Sequence, residues 1–376
     1  MTQKIKTVLI ITQLQLGGAQ KSVLYTAQHL DDRFEPYLIT GPGGYFDKQA
    51  LSSIKNVIFI DGLRRAINPF NDLPALLQLV LALRKIKPQI VHTNSSKAGI
   101  LGRIAAKIAT KAKIIHTVHG FGFNDKQNFI IRNLYIIAEK FCALFTDTLI
   151  FVSQENLNLA LKLKIAPKAK CRLVRAGVKL QKREDFSHID RAQKLACIGL
   201  KETDKVILSI ANLKPQKNPL DMVKAARIVC DKIPNAVFLY LGEGELRQKT
   251  AAMIKKLHLQ DNFKLLGHRE DTGELLYCSD AFCLSSLWEG LPMALAEALS
   301  QGVPAVCYDT DGVKEILSDG KNGYLVKKGD YKNLAAGLIN VLEGKLKFDA
   351  AAADLKEFDI DLMVKKQQEI YLGRSI

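Results

Sequence analysis

The chain has 376 residues, of which 48% are hydrophobic and 24% are charged, a balance typical of globular proteins rather than disordered or fibrous ones. This length is too great for one compact core and suits two domains of about 100–200 residues each. The sequence contains no uninterrupted apolar run of about 18 residues and begins without a signal-peptide pattern, so we expect a cytoplasmic protein without a membrane-spanning helix.

Lysine and arginine exceed aspartate and glutamate by 54 − 38 = 16, and such an excess attracts polyanions. Nucleic acid is disfavoured, because no recognition helix, zinc knuckle or aromatic RNA-binding motif accompanies the charge. A phosphate-rich substrate or an anionic membrane surface fits better, with a merely solvated surface as the competing interpretation. The seven cysteines are scattered without a CxxC pair, which favours buried reduced thiols over a metal site.

In the first half of the chain, short apolar strands alternate with amphipathic segments of helical length, which indicates parallel βαβ architecture. The predicted strands are 7–11, 36–39, 57–60, 90–92, 113–118, 148–152 and 172–175. The predicted helices between them are 19–30, 73–86, 97–109 and 131–145.

A polar, irregular segment at 176–190 interrupts this alternation, which then starts again in the second half of the chain. The second set of predicted strands is 206–210, 236–241, 263–265, 281–284, 305–306 and 323–326. We therefore predict an N-terminal domain at 1–178, a linker at 179–200, a C-terminal domain at 201–354 and a final helix at 355–376 that can pack back on the N-terminal domain. Ligands of doubly wound sheets bind at the carboxyl ends of the strands, where the strand order reverses.

The most informative motif is Ser-Ser-Leu-Trp-Glu-Gly-Leu-Pro at 285–292. It follows a predicted strand and opens a helix, and Pro292 suits the first helical turn. The backbone N–H groups of Gly290 and Leu291 then lie at the positive end of the helix, a natural anion site. Glu289 precedes that end and Glu297 lies ~8 Å beyond it at ~1.5 Å per residue. The two carboxylates can thus hold two hydroxyl-bearing parts of one ligand, with its phosphate between them.

This arrangement resembles the retaining nucleotide-sugar glycosyltransferases of family four. Other segments resemble that family in place and order, namely Leu16-Gly17-Gly18-Ala19-Gln20, His116-Thr117-Val118-His119-Gly120, Asn212-Leu213-Lys214-Pro215-Gln216-Lys217, Gly242-Glu243-Gly244-Glu245-Leu246 and Gly320-Lys321-Asn322-Gly323. The resemblance implies an α/β GT-B fold, with two facing Rossmann-like doubly wound domains and an interdomain cleft. The implied activity is sugar transfer from a nucleotide-diphosphate sugar to a glycan or a polyprenyl-diphosphate-linked glycan in capsule, lipopolysaccharide or exopolysaccharide synthesis.

The same resemblance implies roles for single residues. Lys217 would neutralise the donor diphosphate, Glu289 would bind the transferred sugar, Glu297 would bind the ribose, and His119 would line the reaction centre. Lys217, Glu289 and His119 are the catalytic candidates. The donor-binding candidates are completed by Gly17, Gly18, Asn212, Gly242, Gly244, Gly290, Leu291 and Pro292. We expect no metal and no cofactor besides the nucleotide sugar, for which UDP is the preferred carrier. The resemblance implies a front-face substitution for which no protein nucleophile is settled, so we name no catalytic base.

Three positions depart from the family pattern, because Ala176 and Asn212 stand where the family commonly has asparagine and arginine, and Asp311 stands where it has glycine. These departures bear on donor affinity and sugar identity. They also leave open a catalytically inactive GT-B partner protein. A nucleotide-sugar 2-epimerase shares the two-domain plan but lacks the Glu289-to-Glu297 arrangement. A dehydrogenase is disfavoured, because no G-x-G-x-x-G opens the first helix.

Residues on the acceptor side are candidates of a weaker kind. Lys97 and Arg103 are candidate contacts of an acceptor phosphate, with solvated helix residues as the alternative. Phe121 and Phe123 lead into an apolar and basic segment at 126–135 that can touch a lipid surface or a lipid-linked acceptor. An ordinary packed helix is the competing interpretation. A peripheral position on the inner face of the cytoplasmic membrane would follow from the lipid-binding alternative.

Overall fold

The computed structural model describes residues 3–66, 68–123, 127–349, 352 and 354–374, apart from the side chain of Asp311. Lys126 of the expected lipid-touching segment therefore lies outside the described residues. The chain divides into two compact units, of which the first joins Met1–Gly177 to Glu357–Ile376 and the second is Val178–Lys356. Within the described residues no helix is both long enough and apolar enough to span a bilayer.

The first unit is built on a parallel sheet of seven strands in the order β3-β2-β1-β4-β5-β6-β7. Its strands are β1 (Ile5–Gln13), β2 (Phe34–Gly41), β3 (Asn56–Phe59), β4 (Ile90–Asn94), β5 (Lys113–Val118), β6 (Thr148–Phe151) and β7 (Cys171–Leu173). Its helices are α1 (Gly18–His29), α2 (Asp47–Ser53), α3 (Pro69–Ile86), α4 (Ser96–Ala109), α5 (Phe129–Leu144) and α6 (Gln154–Lys162).

Helices cover both faces of this sheet, and alternate residues of β1 show which helices share a face. Val8 and Ile10 belong to the core under α3 and α4, whereas Leu9 and Ile11 belong to the core under α1 and α2. Helix α5 contacts α4 and packs on β5 and β6 from the same side as α4. Helices α3, α4 and α5 thus form one outer layer of the first unit.

The C-terminal helix α13 (Ile360–Tyr371) belongs to the first unit. It covers β4 to β7 on the α1 side, where Met363 and Tyr371 pack in one core with Ile115 and Ile150. Polar contacts fix its position as well, since Lys113 Nζ donates to the Ile370 carbonyl at 2.5 Å. Helix α13 is therefore part of the N-terminal sheet domain.

The second unit has a parallel sheet of six strands in the order β10-β9-β8-β11-β12-β13. These strands are β8 (Lys205–Ile210), β9 (Ala236–Leu241), β10 (Phe263–Gly267), β11 (Ala281–Leu284), β12 (Ala305–Tyr308) and β13 (Gly323–Val326). Its helices are α7 (Arg191–Ala196), α8 (Pro219–Lys232), α9 (Arg247–Lys256), α10 (Thr272–Tyr277), α11 (Met293–Ser300) and α12 (Tyr331–Leu342).

The segment at 179–200, expected as a linker, is structured and clusters with the second unit. It contains the 3₁₀ helix Arg183–Phe186 and the helix α7. Phe186 is buried, and its ring lies 2.5 Å from the point where a Cβ on Gly273 would stand. This close packing explains why the segment is fixed although its sequence is polar.

Candidate active site

The second unit places the main candidate residues around the carboxyl end of β8. Strands β9 and β10 lie on one side of β8, whereas β11, β12 and β13 lie on the other. The chain therefore reverses its winding direction between β8 and β11. Ligands of doubly wound sheets bind at such a point.

Lys217 and Glu289 meet at this reversal point. Lys217 ends the 3₁₀ helix Pro215–Lys217 after β8, and Glu289 lies in the loop after β11. The Lys217 Nζ atom lies 2.5 Å from Glu289 Oε1, and the two side chains are 20% and 5% exposed. The two charged groups neutralise each other, and this ion pair holds both side chains at the site. The pair offers a cation to a phosphate and a carboxylate to hydroxyl groups.

Backbone contacts hold the two loops together, and they involve residues for which the sequence suggested no role. The Ser285 hydroxyl donates to the Lys217 carbonyl at 3.0 Å and to the Asn218 carbonyl at 2.9 Å. The Leu287 N–H donates to the Gln216 carbonyl at 2.8 Å, and the Gln216 amide donates to the Trp288 carbonyl at 2.9 Å. These bonds fix the backbone that carries Lys217 and Glu289, and a buried serine at a strand end was their only sequence signal.

The glycines after β9 are required by close backbone packing. Gly242 has φ of 145°, and a Cβ there would lie 2.0 Å from the Ala211 carbonyl oxygen. A Cβ on Gly244 would lie 2.4 Å from the Leu213 carbonyl oxygen. The loops after β8 and β9 therefore fit against each other without side chains between them. This packing explains both glycines structurally, and their contact with a donor stays a prediction.

Asn212 lies at the start of the loop after β8, above the buried Tyr240. The Tyr240 hydroxyl donates to the Asn212 carbonyl at 3.4 Å. Burial raises the pKa of Tyr240 well above its usual range, and the carboxylate of Glu289 adds to this effect. Tyr240 thus stays a neutral donor under the loop, while the Asn212 side chain remains a predicted donor contact.

Helix α11 begins at Met293, so Pro292 occupies the N-cap position. This corrects the expectation that Pro292 lies in the first helical turn, because its ψ of 86° is not helical. Within the described residues no side chain caps this helix, and its first turn carries no acidic residue. Its first N–H groups thus keep the positive potential that favours an anion.

The residues just before α11 are enclosed by the loop after β12. A Cβ on Gly312 would lie 2.2 Å from the Gly290 carbonyl oxygen and 2.9 Å from Leu291 Cα. Gly312 is therefore required for the loops to approach this closely. Glu297 lies within α11, and its contact with a ribose stays a prediction.

In the first unit, His119 follows β5, and its Nε2 lies 3.0 Å from Asn94 Oδ1. Burial lowers the pKa of His119 to about 4, so the ring is neutral at pH 7. The neighbouring His116 is buried and bonded through Nδ1 to the Thr93 hydroxyl at 2.9 Å. His116 is therefore a core residue, whereas a catalytic role of His119 stays a prediction.

Gly17 is the N-cap of α1, which begins at Gly18.

The structure contradicts the expected placement of Arg103 on a solvated helix surface. Its side chain is fully buried, with Nη2 2.7 Å from Glu139 Oε2 and Nε donating to the Gly99 carbonyl at 2.8 Å. Lys97 is also engaged, because it pairs with Asp72 and donates to the Ala66 carbonyl at 2.6 Å. Both cations therefore hold the α3–α4–α5 layer together. The burial of Arg103 excludes it as a contact of an acceptor phosphate, whereas such a contact by Lys97 stays a prediction.

Phe121 and Phe123 stack with ring centroids 4.7 Å apart. Phe123 is buried in the core under α5, and Phe121 packs partly buried against the same core. The packed alternative therefore holds for Phe123, since its ring is not available to an acceptor. The helix that follows them is different, because many of its large apolar side chains are exposed.

Comparison with known proteins gives a consistent result for both units. Residues 16–182 match the family model described as Glycosyltransferase Family 4, and residues 190–357 match Glycosyl transferases group 1. The chain is 32% identical over 348 residues to the UDP-Gal:alpha-D-GlcNAc-diphosphoundecaprenol alpha-1,3-galactosyltransferase of Escherichia coli, covering 91% of this chain and 89% of the relative.

A second relative is the N,N'-diacetylbacillosaminyl-diphospho-undecaprenol alpha-1,3-N-acetylgalactosaminyltransferase of Campylobacter jejuni, with 26% identity over 355 residues, 91% of this chain and 92% of the relative. Among solved structures, an Anabaena protein in complex with UDP and glucose matches with a TM-score of 0.81 at 18% identity, covering 98% of this chain and 100% of that chain. The chain therefore belongs to glycosyltransferase family 4, as the two family models and the relative matched over 89% of its length show. Its two Rossmann-like sheets agree with this result, and the protein is a glycosyltransferase with the GT-B fold.

Proposed function

We propose that the protein transfers a hexose or N-acetylhexosamine from a UDP-sugar, with retention of configuration, to a polyprenyl-diphosphate-linked saccharide in cell-surface polysaccharide synthesis. The observation that carries this proposal is the Lys217–Glu289 pair at the reversal point of the second sheet. The activities named for the E. coli and C. jejuni relatives support the lipid-diphosphate acceptor. The Anabaena complex supports UDP as the carrier.

In this proposal, donor binding exchanges the partner of Lys217. The ammonium group moves from the Glu289 carboxylate to the donor diphosphate, where it stabilises the charge that grows on the leaving group. Glu289 is then free to accept hydrogen bonds from the sugar hydroxyls. The uncapped start of α11 supplies N–H groups to the same diphosphate, and Glu297 receives the ribose hydroxyls.

The proposed reaction needs no covalent intermediate. The bond between the anomeric carbon and the phosphate oxygen breaks, and UDP leaves with the electron pair. The acceptor hydroxyl forms the new bond on the same face of the sugar, and its proton passes to the departing phosphate oxygen. The contribution of the protein is positioning and electrostatic stabilisation. His119, neutral at pH 7, would act as a hydrogen-bonding group rather than a cation.

The decisive experiment measures UDP release from UDP-galactose in the presence of a GlcNAc-diphosphate lipid. Lys217→Ala should lower kcat by about 10²–10³-fold, the usual loss when one transition-state contact is removed. Glu289→Gln should also reduce kcat, because a neutral amide no longer balances Lys217 or accepts strong hydrogen bonds. The matched control is Arg227→Ala, which breaks an ion pair with Asp231 on α8 and should leave kcat unchanged.

The same assay separates the competing functions. Full activity of Lys217→Ala would contradict the proposed role of the pair. Conversion of the donor sugar without any acceptor would indicate an epimerase, and no UDP release from any donor would indicate an inactive partner protein. Donor identity is tested by thermal shift with UDP-galactose, UDP-N-acetylgalactosamine, UDP-glucose and GDP-mannose, because a bound donor stabilises the fold by mass action. Stabilisation by GDP-mannose alone would overturn the choice of UDP.

A lipid-linked acceptor requires the enzyme to work at a membrane. We therefore also propose a peripheral position on the anionic inner face of the cytoplasmic membrane. The net charge of +16 supports this location, because cationic proteins are attracted to anionic leaflets.

A further inference from the structure

We infer that the outer surface of helices α3, α4 and α5 docks on an anionic lipid bilayer. We call this surface the docking face and define it by the exposed apolar residues Phe70, Leu73, Leu77, Leu81, Ile108, Phe129, Ile130, Ile131, Leu134, Ile137, Phe141 and Leu144. The inference deepens the proposed function and rests on it for its purpose, because a lipid-linked acceptor gives bilayer contact a role. Binding itself can be measured without any transfer reaction.

Helix α5 is apolar on its solvent side as well as on its core side. Ile130, Leu134, Ile137, Phe141 and Leu144 follow one another at spacings of four and three residues, so they form one stripe along the helix. Their exposed fractions run from 56% for Phe141 to 76% for Leu144. A surface helix of a globular protein normally turns charged and polar residues outward at these positions.

Helix α3 repeats this arrangement. Phe70, Leu73, Leu77 and Leu81 follow at spacings of three and four residues, and Phe70 is 89% exposed. The opposite side of the helix is buried in the core of the first unit through Ala75, Leu79 and Leu83. Helices α3 and α5 therefore each carry a second apolar stripe that the core does not use.

The apolar exposure is concentrated on this one layer. Among the described residues, all exposed large apolar side chains except Tyr45, Leu51 and Trp288 lie on α3, α4 or α5. Helix α4 contacts both α3 and α5 and adds Ile108, which is 56% exposed. Such a concentration of exposed apolar side chains on one layer of helices is typical of an interaction site rather than of scattered surface variation.

The charges of the α3–α4–α5 layer indicate what the docking face binds. The exposed charged residues described on α3, α4 and α5 are all cations, namely Arg84, Lys85, Lys107 and Lys140. The acidic residues of these helices are Asp72, paired with Lys97, and Glu139, paired with the buried Arg103. The layer thus presents apolar stripes among positive charges, with its negative charges neutralised internally.

An anionic bilayer supplies both complements at once, because lipid headgroups attract lysine and arginine while the acyl boundary takes up apolar side chains. A second copy of this chain would bring the same cations to the same surface. Like charges across an interface repel, so the face is poorly suited to self-association. The expected contact is interfacial, with the helices lying along the membrane surface.

The test is flotation of the full chain with vesicles of phosphatidylcholine, with and without phosphatidylglycerol. We expect binding to the anionic vesicles to be stronger by at least about tenfold, because several cations contribute. The double variant Ile137→Glu with Phe141→Glu should lower that binding by at least about tenfold, because carboxylates resist entry into the acyl boundary. Changing Arg84, Lys85, Lys107 and Lys140 to glutamate should remove the preference for anionic vesicles.

Matched controls lie on α2, which covers the opposite side of the sheet, and at Lys55 between α2 and β3. Leu51→Glu changes an apolar side chain that is 59% exposed, and Lys48→Glu with Lys55→Glu reverses two exposed lysines. These controls should bind vesicles as the unmodified chain does, and circular dichroism should show that every variant is folded. Equal flotation of the docking-face variants and the unmodified chain would overturn the inference. The inference would also be overturned if the unmodified chain formed a dimer without lipid and the double variant Ile137→Glu with Phe141→Glu were a monomer.

Two acceptors distinguish failure of this inference from failure of the proposed function. The docking-face variants should keep transfer to a short-chain, water-soluble diphosphate-linked acceptor and lose it with an acceptor embedded in vesicles. If the unmodified chain floated with anionic vesicles but transferred sugar to neither acceptor, the result would support the docking face and contradict the proposed function. Transfer to both acceptors by the variants would support the activity and contradict the docking face.

Discussion

Arg103 and Glu139 form an ion pair in the interior of the first unit, between α4 and α5. The Arg103 guanidinium is fully buried, and the Glu139 side chain is 8% exposed. Taking two charges out of water is costly, so such a pair contributes little net stability compared with apolar residues of similar size. Replacing only one of the two residues lowers stability strongly, because the remaining buried charge is left without a partner.

We therefore predict that Arg103→Met lowers the free energy of unfolding by about 3–5 kcal/mol, because Glu139 becomes an unpaired buried carboxylate. The double variant Arg103→Met with Glu139→Leu should recover most of this loss. Urea unfolding followed by circular dichroism measures both values. If the double variant were as unstable as the single one, geometry rather than the unpaired charge would be responsible.

Helix α13 is joined to the sheet by a buried chain of hydrogen bonds. The Tyr371 hydroxyl lies 2.6 Å from His92 Nδ1, and His92 Nε2 lies 2.7 Å from the Thr117 hydroxyl. His92 is buried, and burial lowers its pKa to about 3. The ring is thus neutral at pH 7 and has one polar partner on each side.

Tyr371→Phe should lower the free energy of unfolding by about 1–3 kcal/mol, because a buried His92 nitrogen loses its partner while the aromatic ring is kept. Tyr25→Phe is the matched control, since its hydroxyl also binds α13, through Asp361 at 2.6 Å, but at an exposed position. The control should change stability by less than about 0.5 kcal/mol. Equal effects of the two variants would contradict the importance of burial.

The elements of the sheets could be predicted from the sequence, because parallel strands buried on both faces are short apolar runs. Each of the strands expected from such runs occurs, with ends that differ by a few residues. In the first unit α2 and α6 were not predicted, and α2, with seven residues, is too short for a clear helical period. Helix α7 was not predicted either, because it lies in the segment expected as a linker. Local sequence also gave no sign that Arg103 is buried, because its partner Glu139 follows on another helix.

Part of the candidate site could also be predicted from the sequence, and part could not. The motif at 285–292 and Lys217 could be identified from their resemblance to a family, and the structure brings Glu289 and Lys217 into contact. The hydrogen bonds of Ser285 and Gln216 could not be predicted, because each joins a side chain to a backbone carbonyl of a loop 68 or 72 residues away. Roles in donor and acceptor binding stay predictions.

At the scale of the whole molecule, the two units differ in which of their groups have shifted pKa values. Burial holds the pKa of His92 at about 3 and of His119 at about 4, both below the ordinary value of 6.5. His116 is shifted in the same direction, and these three residues lie in the first unit. In the second unit, the Arg269 guanidinium holds the pKa of Asp271 well below its ordinary value of 3.8.

We predict that the first unit loses stability as the pH falls from 6.5 to 4. In this window the unfolded histidines bind protons and the folded ones do not, so each contributes a decrease of up to about 1.4 kcal/mol per pH unit. The Asp271 contribution is present above pH 3.8 and is lost only at lower pH. The single tryptophan, Trp288, lies in the second unit, so its fluorescence can be compared with circular dichroism of the whole chain. Parallel shifts of both signals between pH 6.5 and 4 would contradict the prediction.

The placement of α13 has a consequence for synthesis on the ribosome. Because α13 covers β4 to β7, the hydrophobic core of the first unit stays incomplete until Ile360–Tyr371 have been synthesised. The second unit is one continuous segment, Val178–Lys356, and can fold before α13 has been synthesised. Folding of the two units would then not follow chain order, and removal of Ile360–Tyr371 would destabilise the unit that contains strands β1 to β7.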